Sequence, residues 1–186
     1  MSSTTWYFAR SAGVMAYLLL SSSVIVGVLM SARTRFGVPR FAVEQVHRFL
    51  AILAGTFIVL HGGSLLLDRV VPISLGQLLV PFTSPYRPFA VGLGTTAAEL
   101  MAAIGLSNLL RRRLPYGVWR RIHYLTIGVW LLASVHGVLT GSDRSETWFA
   151  GLVAGSVAAV LVAFAVRFGV RSDQPGTKPA SAGRGA

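Results

Sequence analysis

The chain has 186 residues, 53% of them hydrophobic and only 12% charged, against about 25% charged in a soluble domain, which excludes an ordinary globular surface and puts a membrane protein first. The net charge of +11 comes from arginines clustered between apolar runs. No basic stripe is interleaved with stacking aromatics, so nucleic acid is excluded as a partner.

Five apolar runs follow one another, each near the ~20 residues that span a bilayer as a helix. They cover about residues 11–30, 42–67, 89–110, 121–139 and 147–166. The sequence therefore predicts an all-α integral membrane protein, a five-transmembrane-helix bundle occupying residues 1–170. The first run is long for a signal peptide and lacks a small-x-small cleavage site, so a retained helix is expected. Between the second and third runs, a short apolar stretch from Ile73 to Val80 lies between Pro72 and Pro81. It is too short to span and suits a helix lying along the outer interface. Residues 171–186 are rich in Pro, Gly, Ser and Ala, as expected of a disordered cytoplasmic tail.

Arginines set the expected orientation. The connection after the first run carries Arg33, Arg35 and Arg40, and that after the third carries Arg111, Arg112, Arg113, Arg120 and Arg121. Both lie on one side of a five-helix serpentine, with the C-terminal tail. The other side balances Arg10, Arg69, Arg87 and Arg144 against Asp68, Asp143 and Glu146. This places the N-terminus outside and the C-terminus in the cytoplasm, in the cell (plasma) membrane.

There is no cysteine, which excludes thiolate iron–sulfur clusters, Cys-attached haem and disulfides. A redox metal must rest on other side chains. The four histidines, His47, His61, His123 and His136, fall two on the second run and two on the fourth. At 1.5 Å per residue their spacings correspond to about 21 Å and 20 Å along the helices. Both helices run from the cytoplasm outward, so His47 is level with His123 and His61 with His136. Neutral imidazole is a good iron ligand, and two axial histidines favour electron transfer over oxygen binding. The expected cofactors are two haem b, an inner one on His47 and His123 and an outer one on His61 and His136. Thirteen steps of 100° turn His136 about 140° from His123, so either the haems are rotated or the helix bulges near Gly128.

The two histidine segments resemble each other. In QVHRFLAILAGTFIVLHGGSLLLDR and RIHYLTIGVWLLASVHGVLTGSDR a glycine follows the second histidine, Gly62 or Gly137. Each then reaches an Asp-Arg pair, Asp68-Arg69 or Asp143-Arg144. Arg48, Arg120 and Arg121 beside the inner histidines, and Arg69 and Arg144 near the outer, are candidates for haem propionates, with membrane anchoring as the plainer role. Glu99 sits mid-helix, where a carboxylate is costly. It is read as a neutral packed residue, a charge balance or a proton relay. Trp119, Trp130 and Tyr124 read as packing or interfacial aromatics.

The H-x13-H and H-x12-H spacings, together with WYFARSAGVMAYLLLSSSVIVG and WRRIHYLTIG, resemble the ferric reductase-like transmembrane domain. That family includes ferric-chelate reductases, NADPH oxidases and the haem subunit of the bacterial methionine sulfoxide reductase system. The resemblance implies transmembrane electron transfer through two bis-histidine b haems, from a flavin donor to an outer-face acceptor such as ferric iron. NADPH oxidases have six helices and cytosolic flavin and nicotinamide domains; here there are five helices and no Rossmann glycine loop. The donor is thus expected to be a separate cytosolic flavoprotein or flavin. Two other readings stay open at this point: a quinol-linked cytochrome b subunit, and a haem-free metal-binding or transport protein.

Overall fold

The computed structural model describes residues 3–32, 37–67, 73–141 and 145–172. These form six α-helices: α1 (Ser3–Ser31), α2 (Arg40–Leu66), α3 (Leu75–Leu79), α4 (Pro88–Leu109), α5 (Tyr116–Thr140) and α6 (Thr147–Ser172). All but α3 are long and apolar enough to cross a membrane. Among the described residues every element is helical, and the five spans are those of a multi-pass membrane protein.

The helices overrun the apolar windows. α1 begins at Ser3, not near residue 11, and α5 at Tyr116, not near residue 121. Hydropathy locates the hydrocarbon-facing core of a span, whereas the helix continues through the interface, where aromatics and arginines belong. Trp6 and Arg10 occupy that extra turn of α1, and the Arg10 guanidinium lies over both Trp6 and Trp148 of α6. α6 likewise runs on through Arg171, beyond the expected end at residue 166. The remainder of the expected tail, from residue 173, lies outside the described residues.

Proline sets where the two histidine-bearing helices begin. Pro39 caps α2 and Pro115 caps α5, each extended, with ψ 140° and 137°. The proline ring fixes φ near the helical value, and each proline carbonyl accepts the first bonds of its helix, from Ala42 N–H at 3.0 Å in α2 and from Val118 and Trp119 N–H at 3.0 and 3.1 Å in α5. His47 follows Pro39 by eight residues and His123 follows Pro115 by eight. Two parallel helices starting from equivalent caps therefore carry their first histidines at one height.

Packing divides the bundle into two hairpins. α1 lies along α2 and α4 lies along α5, while α2 and α5 share almost no backbone contact. The hairpins are joined through α1, which also touches α5 and α6. In hydrocarbon there is no hydrophobic drive between helices, so small residues and interhelical hydrogen bonds decide the packing. α1 supplies both. Ala9, Ala12, Ala16, Ser21 and Ser23 are buried, Trp130 Nε1 donates to Ser21 Oγ at 3.0 Å, and Ser134 Oγ donates to the Tyr17 hydroxyl at 3.2 Å. Trp130 lies in the main cluster with Leu20, Val24, Ala97 and Val129, as a packing aromatic. Trp130→Phe should lower stability by about 1 kcal/mol, the range of such bonds in membranes, read as a lower detergent unfolding midpoint.

The short helix α3 starts with a capping box between Ser74 and Gln77. Its Leu78 lies over Gly62 of α2, where an added Cβ would stand 3.6 Å from the leucine. Arg87, at the start of α4, donates to the carbonyl of Leu139 at 2.5 Å. It thereby satisfies a carbonyl in the last turn of α5 that the helix leaves without a partner.

Two imidazole pairs and their glycine seats

The four histidines meet in the two pairs expected from their spacing. His47 and His123 have ring centroids 6.0 Å apart with planes at 73°. His61 and His136 have centroids 6.3 Å apart with planes at 76°. α2 and α5 are therefore parallel, and each level sets one imidazole from either helix opposite the other, edge toward face, across the gap between the hairpins.

What orients each ring is a neighbouring backbone. His61 Nδ1 lies 2.8 Å from the carbonyl of Ala9, and His136 Nδ1 lies 2.8 Å from the carbonyl of Ala90. His47 Nδ1 lies 3.0 Å from the carbonyl of Ser23 and 3.2 Å from its hydroxyl. A carbonyl only accepts, so in these three rings Nδ1 carries the proton and Nε2 keeps its lone pair. A metal-bound histidine has this arrangement: the distal N–H is tied down and the other nitrogen is left basic.

Each ring reaches its carbonyl over a glycine one turn on. A Cβ at Gly13 would stand 3.0 Å from the His61 ring, at Gly27 3.1 Å from His47, and at Gly94 2.6 Å from His136. Ala9 with Gly13, Ser23 with Gly27, and Ala90 with Gly94 form three copies of one seat. In each, a carbonyl holds the ring, and the residue four later lacks the Cβ that would push it away. Sequence reasoning missed all three. The glycines that follow the second histidines lie elsewhere: a Cβ at Gly62 would stand 3.6 Å from Leu78, and one at Gly137 3.7 Å from Phe149. The signal was present in α1, where Gly13 and Gly27 repeat the fourteen-residue step from His47 to His61.

His123 differs. Its Nδ1 is buried with no hydrogen-bond partner, and Trp119 stacks on its ring, centroids 5.3 Å apart and planes at 22°. α5 is a continuous α-helix from Tyr116 to Thr140, so the bulge considered at Gly128 does not occur. The 140° turn between His123 and His136 is real, and α4 seats only the latter.

The flanking candidates divide. Arg48 and Arg121 are exposed on the helices beside His47 and His123. Arg120 donates to the Tyr124 hydroxyl at 3.0 Å. Arg69, Arg144, Asp68 and Asp143 lie outside the described residues. Glu99 is exposed on α4 and so is not packed among the helices. Arg87, not singled out from sequence, lies three residues before the Ala90 seat.

The donor set discriminates between ligands. Among the described residues no cluster of three His, Cys, Asp or Glu could hold a bare metal ion, which ordinarily needs three or four protein ligands. Two opposed imidazoles do suit a macrocycle that fills the remaining positions itself. With metal–nitrogen bonds of about 2 Å, one ion bound by both Nε2 atoms sets the centroids a little over 6 Å apart, as observed. The residues therefore fit bis-histidine haem.

A protein family described as a domain of unknown function (DUF8596) matches residues 4–143, a span holding both imidazole pairs and every seat. No curated protein and no solved structure matches the chain.

Proposed function

We propose that this chain, which belongs to the DUF8596 family by a match over most of its length, is a diheme membrane cytochrome b that passes electrons across the bilayer. The observation that carries the reading is the geometry of the pairs: two levels, each with two imidazoles whose ring centroids lie 6.0 or 6.3 Å apart. Haem held between two imidazoles exchanges one electron between ferric and ferrous iron with no coordination position left open.

The chain's own residues supply the rest. His47 and His123 hold one haem, and His61 and His136 hold the other. Ala9, Ser23 and Ala90 fix three rings in the Nδ1–H tautomer and raise the basicity of Nε2. Gly13, Gly27 and Gly94 let those rings close onto the backbone. The spans keep water from the sites. Arg48 and Arg121, exposed on the helices beside His47 and His123, are the candidates to meet propionates at that level.

The arginine-rich connections support a cytoplasmic side at the His47–His123 end, in the plasma membrane. Electrons then enter from a separate cytosolic flavin donor and leave at the His61–His136 end. The histidine spacings shared with ferric reductase-like domains support ferric iron as one acceptor. A metal-transport role is the weaker reading, because among the described residues neither level gathers three His, Cys, Asp or Glu donors.

The test is a dithionite-reduced minus oxidised spectrum of detergent-purified protein, with haem quantified per chain. Two low-spin b haems per chain are expected. A colourless protein from haem-replete cells sinks the proposal.

A further inference from the structure

Three of the four imidazoles share one device and the fourth has another. The reason lies in the helix period. Fourteen residues separate His47 from His61, and Gly13 from Gly27 on the helix beside them. Fourteen steps of 100° return to within about 40° of the same face. One helix, α1, can therefore seat both histidines of α2. On α5 the step is thirteen, and His123 points about 140° away from the face that α4 supports.

What lies behind His123 instead is its own helix, one turn earlier. Trp119 stacks nearly parallel on the ring. The indole is itself held on both sides. Its Nε1 donates to Asn108 Oδ1 at 2.8 Å, and the Arg111 guanidinium lies 4.6 Å over its ring. Asn108 is in the last turn of α4, and Arg111 is just beyond it. The orientation of His123 is thus set from the α4–α5 connection.

We propose that Trp119, clamped by Asn108 and Arg111, is the positioning residue for His123, replacing with a stacked ring the carbonyl seat that the other three histidines use. This rests on the diheme reading. A stacked indole resists tilting of the imidazole plane but leaves Nδ1 without an acceptor, so the His47–His123 site is held less firmly than the His61–His136 site. It is also the one site whose ligand answers to a surface connection.

The experiment compares wild type, Trp119→Leu, Trp119→Phe and Asn108→Leu as full-length protein, by haem content, low-spin electron paramagnetic resonance and redox titration of both haems. Trp119→Leu is expected to lose or alter one haem signal, the one that His47→Ala removes, leaving the other at its wild-type g values and potential. Trp119→Phe keeps a flat ring and should restore most of the signal, and Asn108→Leu should shift the same haem in part. Two unchanged haems in Trp119→Leu overturn the proposal. So does equal behaviour of the Leu and Phe variants, or an effect falling on both haems alike. A wild type without haem defeats the diheme reading itself, a result distinct from all of these.

Discussion

On the diheme reading, Gly94→Ala should cut the haem content from two per chain to about one. A Cβ there would stand 2.6 Å from two atoms of the His136 ring, well inside van der Waals contact. The ring cannot back away, because its Nδ1 is hydrogen-bonded to Ala90 and its other nitrogen must keep its line to the partner across the gap. Alanine is otherwise the better helix former by about 1 kcal/mol, so the loss cannot be charged to the helix. Disturbing such a supporting contact ordinarily costs 10–100-fold in affinity, on the order of 1.4–2.8 kcal/mol. At Gly13 and Gly27 the approach is 3.0 and 3.1 Å, and a small shift of the ring can absorb it. Those variants should keep both haems with altered spectra. Gly105→Ala and Gly151→Ala, where a Cβ meets nothing within 4 Å, are the controls. Pyridine haemochrome assay against protein concentration gives the count; two haems in Gly94→Ala would show that the seats do not matter.

Ligand deletions should follow levels rather than helices. His47→Ala and His123→Ala should each remove the same haem, and the double variant should lose no more than either single. His61→Ala and His136→Ala should behave likewise at the other level. Combining His47→Ala with His136→Ala should give a colourless protein, as should combining His47→Ala with His61→Ala on one helix. Residues acting as one unit are non-additive in this way, whereas independent sites add. If deletions on one helix proved redundant with each other, the pairing across the gap would be wrong.

The spans, the parallel course of α2 and α5, and both pairings were legible in the sequence. They depend on hydropathy and on helical rise, which are local and cumulative. Two parts were not. The helix ends extended into Trp6 and Arg10, and into Tyr116 and Trp119, because interfacial residues carry no apolar signal. The seats were invisible because their acceptors are backbone carbonyls, which every residue has. Only the glycine four residues later marks them, and a glycine in a membrane helix has many ordinary reasons to be there. The uneven spacing on α5 is visible in the sequence, but its consequence depends on where α4 lies. It separates His123 from α4 and hands it to Trp119.

The near-absence of contact between α2 and α5 has a bearing on how the protein is made. Each hairpin, α1 with α2 and α4 with α5, already contains its own seats, so each can insert with its histidines pre-aimed before the other exists. What joins the halves is chiefly the flank of α1, with slight contact of α2 and α3 on α4, and whatever bridges the facing imidazoles. On the diheme reading, cofactor capture is then the closing step of biogenesis. Any ligand that binds only the assembled state stabilises it by mass action, so cells short of haem should accumulate two correctly inserted halves that are easily parted and readily degraded.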